Sequence, residues 1–133
     1  MVSVGKCLAE FHTVFECKRH EKFEVASVAD TELLLLRKRL INEEVEEVFD
    51  AISSKNKEEI LKELVDVVVV CVGMADTYGW DFDTAFKRVH DSNMSKLDDD
   101  GKPLRRADGK VIKSKNYKPP DLLDKIQKNA TMV

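Results

Sequence analysis

Glycine and proline are scarce in this 133-residue chain, with five glycines and three prolines, and every proline lies at or beyond Pro103. Both residues interrupt helices, so the sequence predicts long helical segments before Pro103 and irregular structure after it. Cysteine is sparse too. Cys7, Cys17 and Cys71 make an odd number with no Cys-x-x-Cys spacing, which argues against a disulfide framework or a cysteine-built zinc site and suits a reducing compartment. No basic stretch followed by an apolar core opens the sequence, so no signal peptide is expected. The apolar run around Val67 falls short of the roughly 20 residues that span a bilayer. A formal charge of −3 gives no reason to expect nucleic acid or an anionic membrane as a partner. The expectation left by these absences is a cytoplasmic helical protein.

What is present is 43% hydrophobic and 35% charged, a composition and length that suit one globular domain. Leu8, Phe11 and Phe15 recur at helical spacing and predict a first helix over about 4–19. Residues His20 to Asp30 read as a connection. Asp30 or Thr31 can cap a second helix from Glu32 to Ile52, which holds neither glycine nor proline. After the polar break Ser53 to Asn56, a third helix is expected from Lys57 or Glu58 to about Tyr78, closed by Gly79. Its "VVVV" has strand propensity, yet about twenty uninterrupted residues exceed an ordinary strand. Asp81 or Asp83 caps a fourth helix with Phe82, Phe86 and Val89 on one face. The fold class is therefore all-α: a four-helix-bundle core over residues 1–97, then a basic, irregular tail over 98–133 of the same domain. Asp108-Gly109 suits a small hairpin in that tail, and a short final helix is expected from Asp121.

One stretch, "KELVDVVVVCVGMA" (Lys62 to Ala75), sets Asp66 into an apolar run, with Glu63 one turn before it. A carboxylate entering a buried segment is costly unless something compensates it. On the preceding helix, at about 100° per residue, Glu43, Glu47 and Glu44 fall at about 0°, 40° and 100°, away from the solvent stripe of Arg39, Asn42, Glu46, Asp50 and Ser53. Ile41, Val45, Val48, Phe49 and Ile52 form the apolar face of that helix. If the two helices pack antiparallel, Glu43, Glu44, Glu47, Glu63 and Asp66 converge. That many carboxylates at close range require counter-charge, and an oxygen-only set suits Mg²⁺ or Mn²⁺. The competing reading is a solvated acidic face, with Lys62 pairing Asp66 at i, i+4.

These residues carry a resemblance. "EEVEE" (Glu43, Glu44, Glu47) followed by "ELVD" (Glu63, Asp66) resembles the signature of the all-α nucleoside triphosphate pyrophosphohydrolases, which include MazG-like enzymes, dimeric dUTPases and phosphoribosyl-ATP pyrophosphohydrolases. "AEFH", "LRKRLINEE" and "VHDSNMSKL" are similar to segments of that group in the same order, and the tail is similar to that of one branch. The resemblance implies Mg²⁺-dependent cleavage between the α and β phosphates, giving a nucleoside monophosphate and pyrophosphate. It assigns Glu43, Glu44, Glu47, Glu63 and Asp66 to the metal and to catalysis. Asn93 and Lys96 match the family's Asn-x-x-Lys feature and are candidates for substrate contact. In the tail, a basic flap over an acidic Mg²⁺ site would suit a triphosphate, and Lys110, Lys113 and Tyr117 are the candidates there.

The resemblance further implies a homodimer or homotetramer and a role in clearing non-standard or excess deoxynucleotides. Phosphoribosyl-ATP pyrophosphohydrolase and dUTPase activities are the alternatives within the enzyme class. A catalytically silent helical binding module is the alternative outside it. His12 reads as a packed or substrate-edge residue, His90 as polar surface, and Trp80 as a core or interface anchor rather than a base-stacking platform.

Overall fold

A computed structural model describes residues 2–17, 19 and 31–126. Four longer helices, α1 (Val4–Val14), α2 (Thr31–Ser54), α3 (Lys57–Thr77) and α4 (Phe82–Met94), precede two short strands, β1 (Leu104–Arg105) and β2 (Val111–Ile112), and a final helical turn, α5 (Leu123–Ile126). The expected all-α class with a small hairpin and a short last helix is what the chain adopts. The expected connection over His20 to Asp30 lies outside the described residues.

The α2–α3 hairpin is the backbone of the molecule. The two helices are separated by Lys55 and Asn56 and lie antiparallel against each other. The Asn56 side chain accepts a hydrogen bond from the Glu59 amide at 3.2 Å and so caps α3, as short polar side chains do at helix starts. Lys55 turns the corner in the left-handed region, φ 59°. α1 packs on α3, and the buried centre holds Leu8, Leu33, Val48, Ala51, Val72, Ala75 and Tyr78. The valine run is helical, as its length predicts, and Val72 is fully enclosed.

Two boundaries differ from the sequence reading. α1 stops at Val14 rather than near Arg19, because the chain turns there: Glu16 takes φ 55°, the Glu16 amide bonds the Thr13 carbonyl, and the Cys17 amide bonds the His12 carbonyl at 2.8 Å. That pair of bonds is the usual helix-ending motif with a left-handed residue, here without glycine. The tail hairpin is also not a two-residue turn with Asp108 and Gly109 both left-handed. Gly109 alone has positive φ, 89°, and the Arg106 amide bonds the Lys110 carbonyl at 2.8 Å across a three-residue loop. Of the two candidate caps for α4, Asp81 is the one used, accepting from the Thr84 amide at 3.1 Å. Asp83 instead ties α4 to α1 through the Ser3 hydroxyl and the Gly5 amide.

The tail returns along α4. The Ser92 hydroxyl donates to the Lys118 carbonyl at 2.7 Å, the Lys118 amide donates to Ser95 Oγ at 2.9 Å, and Arg88 pairs with Asp124. No helix among the described residues is long and apolar enough to cross a membrane.

Lys55 sets the geometry of the hairpin at a backbone conformation that glycine adopts freely. Lys55→Gly should therefore stabilise the fold by about 0.5–1 kcal/mol, the left-handed penalty less glycine's added unfolded-state entropy, read as a higher urea midpoint with unchanged slope.

Candidate metal centre

Glu44 and Glu47 stand one turn apart on α2, Glu63 and Asp66 one turn apart on α3, and the antiparallel hairpin turns these pairs towards each other. Single oxygens of Glu44, Glu63 and Asp66 lie within 4.8 Å of one another, which marks them, among the described residues, as a set able to hold a metal ion. Glu63 is buried, with 8% of its surface exposed. Glu44 Oε2 and Glu63 Oε2 are both closed off from solvent with no hydrogen-bond partner. A carboxylate oxygen in that condition is strongly unfavourable unless a cation or proton reaches it.

Glu47 is exposed at the rim of this set. The charge of Glu44, and then the closeness of Glu63, push its carboxyl above the ordinary glutamate range. Like charges brought together have this effect. Part of the compensation comes from the chain itself. Lys62 Nζ lies 2.7 Å from Asp66 and 3.0 Å from Glu63, and these hydrogen bonds, Asp66 first, raise its pKa. The Lys62–Asp66 ion pair of the competing reading is thus present, but it leaves one oxygen each of Glu44 and Glu63 unanswered. The donor set is all oxygen and fits a hard divalent cation, for which Glu44, Glu63 and Asp66 supply ligands and Glu47 stands adjacent.

Glu43, the fifth acid of the sequence reading, is exposed and lies outside the converging three. Asn93 is exposed at the end of α4 and Lys96 half-buried just beyond it. Lys110 and Lys113 are exposed on and beside the hairpin, and Lys113 Nζ sits 4.5 Å from the centre of the Tyr117 ring. The tail fastens to α4 and to the loop after it. None of the hydrogen bonds or ion pairs among the described residues joins Asn93, Lys96, Lys110, Lys113 or Tyr117 to Glu44, Glu47, Glu63 or Asp66.

A second polar cluster escaped the sequence reading. His12 is buried, its Nδ1 is 2.8 Å from Asp76, and Arg19 bonds both oxygens of Asp76 at 3.0 Å. Burial alone would push the Asp76 carboxyl up, but hydrogen bonds from Arg19 and His12 outweigh it and hold it below the usual range. Arg37 lies beside this cluster. Burial lowers its pKa, against the opposing pull of Cys17, Tyr78 and Asp76. Its one sequence signal was position: Arg37 precedes Glu44 by seven residues, two turns along nearly the same face.

An acidic, oxygen-only set across an antiparallel helical hairpin is what the resemblance to the all-α pyrophosphohydrolases implies. A family model described as phosphoribosyl-ATP pyrophosphohydrolase matches residues 8–93, most of the chain and all four acids. The chain belongs to that family, within the MazG-like all-α NTP pyrophosphohydrolase superfamily, and is a nucleotide pyrophosphohydrolase, a hydrolase acting on a phosphoanhydride. Comparison with curated proteins finds no match. Pyrophosphohydrolases of this family typically use a divalent metal.

The raised Glu47 carboxyl has a measurable consequence. A group whose folded-state pKa is raised gives up its proton more easily once unfolded. Without metal, its contribution therefore lowers stability as pH rises from the ordinary glutamate value, about 4.3, through the raised one. Thermal melts of the metal-free protein between pH 4 and pH 7 should show this loss. Glu47→Gln should flatten it, and an unchanged slope would show that the acids do not interact.

Proposed function

We propose that the protein is a Mg²⁺-dependent nucleoside triphosphate pyrophosphohydrolase, cleaving (deoxy)nucleoside triphosphates between the α and β phosphates to release a nucleoside monophosphate and pyrophosphate. The observation that carries this reading is the pair of buried, unpartnered oxygens on Glu44 and Glu63, within reach of Asp66. Glu44, Glu63 and Asp66 are the residues that would hold Mg²⁺, with Mn²⁺ as a substitute; Glu47 stands at the rim of that set and Glu43 outside it, an outer acid of the same helix. When bound, the ion supplies neutralising charge for the triphosphate and for the departing pyrophosphate.

The chain's own residues do the rest. Glu63, buried on α3, presents a solvent-sealed carboxylate oxygen within reach of Glu44 and Asp66. One carboxylate of the set orients or deprotonates the attacking water. Asn93 and Lys96, at the end of α4, are proposed substrate contacts, lysine as a compact cation for phosphate and asparagine as a hydrogen-bonding group. Lys110, Lys113 and Tyr117 are proposed as a basic flap for the triphosphate.

Oligomerisation belongs to the same reading. Leu35, Phe49 and Ile52 on α2 and Leu61, Leu64, Val65 and Val68 on α3 are all exposed in the single chain. Apolar area on that scale is what a helical dimer or tetramer buries. The biological role that fits is removal of non-standard or excess deoxynucleotides. Phosphoribosyl-ATP cleavage is the second reading, favoured by the description of the matching family; both activities break the same kind of bond at the same acids.

Glu44→Gln and Glu63→Gln should each lower pyrophosphate release about 10²-fold or more, the scale expected when a metal's charge stabilisation is lost, while the helical circular dichroism is kept. Full Mg²⁺-dependent activity in both variants would remove these acids from the site.

A further inference from the structure

The cation on the acidic set is the chain's own. Lys62 Nζ lies 2.7 Å from Asp66 Oδ2 and 3.0 Å from Glu63 Oε1, so one ammonium bridges two of the three acids whose oxygens converge. The lysine side chain is 63% exposed, whereas that of Glu63 is 10% exposed. Helix geometry offers Lys62 an easier partner. Glu58 precedes it by four residues, the order in which an acid and a lysine support a helix best, while Lys62 precedes Asp66, the poorer order. Glu59, three residues before, is a further neighbour on the helix surface. Both glutamates are exposed, yet no ion pair among the described residues joins either of them to Lys62. The ammonium sits where the carboxylates crowd, not where the helix would hold it most readily.

That bridge answers only the outer oxygens. Glu44 Oε2 and Glu63 Oε2 stay buried without a partner. A divalent cation that reaches them draws on the same Glu63 and Asp66 carboxylates that Lys62 holds, and two cations at such short range repel each other. The lysine has somewhere to go. An open hollow of about 490 Å³, lined by Asn56, Glu58, Glu59, Lys62 and Glu63, lies on its side of the acids, and its four-carbon stem is flexible.

We propose that Lys62 competes with the divalent cation for Glu63 and Asp66, and that the ammonium so displaced becomes a contact for the nucleotide's phosphates, which makes metal and nucleotide bind cooperatively. Mg²⁺ held by one or two carboxylates characteristically binds substrate phosphates as well. Phosphate drawn to these acids therefore comes within the length of the lysine side chain, and the displaced charge gains an anionic partner for those it loses. By linkage, the nucleotide tightens the metal by the same factor as the metal tightens the nucleotide. The inference rests on the metal and nucleotide binding of the proposed function and names how the two are coupled.

The test reads metal binding, so it needs no turnover. Calorimetric titration with Mn²⁺ alone should show Lys62→Met binding about 3- to 10-fold more tightly than the wild type at low salt, the scale of one or two exposed ion pairs. The difference should shrink as salt is raised. Lys62→Arg, which keeps the charge, should stay close to the wild type. With saturating dAMP, a monophosphate, present throughout, Mn²⁺ should bind more tightly to the wild type, and the gain should be several-fold smaller in Lys62→Met. Mn²⁺ affinity that is unchanged or weaker in Lys62→Met, or a dAMP effect of equal size in both proteins, would overturn the proposal. Absence of Mn²⁺ binding in both proteins would overturn it together with the metal centre. The expected Mn²⁺ and dAMP effects without pyrophosphate release from any triphosphate would count against the proposed hydrolysis and leave this inference standing.

Discussion

The constraint on which the rest of the structure depends is the mutual repulsion of carboxylates brought to one place on the α2–α3 seam. Glu44, Glu63 and Asp66 bring oxygens within 4.8 Å of one another, and Glu47 stands close enough to have its proton affinity raised by two of them. Nothing in helix propensity or core packing calls for this. A hairpin selected only for stability would place leucine where Glu63 is buried. Lys62 offsets part of the repulsion, but as an exposed side chain in a solvated ion pair it contributes little and is easily displaced. The acids are held against their own electrostatics by a rigid pair of long helices.

That rigidity has identifiable sources. The link between α2 and α3 is two residues long and holds a lysine in a left-handed conformation, so little play exists between the facing helices. Val72, Ala51 and Tyr78 lock the hairpin on its buried side. The same register that sets Glu44 against Asp66 sets the buried Arg37 against Gly73 about two turns away.

Much of this was legible in the sequence. The scarcity of glycine and proline, the capping residues and the uninterrupted lengths located α2 and α3, and the start of α4, to within a residue or two. The angular position of the glutamates and the entry of Asp66 into an apolar run pointed to Glu43, Glu44, Glu47, Glu63 and Asp66, of which Glu44, Glu63 and Asp66 bring oxygens within 4.8 Å of one another. The remainder depended on contacts that a helical wheel does not contain. Glu43 shares a sector with Glu47 on the wheel, yet α3 passes on the side of Glu44, and Glu43 is left exposed. The end of α1 was missed because Glu16, not glycine, takes the left-handed position. Arg37 reads on a wheel as one more basic residue in "LRKRL", and only the packing of α1 and α3 around it reveals that it is buried beside Gly73. Asp76, near the end of α3, carried no signal until Arg19 and His12 were found on it.

The central claim is that the acids of the α2–α3 seam are built to hold a divalent cation. Crystals of the protein soaked in Mn²⁺ test it most directly through an anomalous difference map. The account predicts a peak within about 2.5 Å of carboxylate oxygens from Glu44, Glu63 and Asp66, the range for a hard cation on oxygen ligands, with Lys62 moved off at least one of its two partners. A seam without a peak, with Lys62 still bridging Glu63 and Asp66, would contradict it.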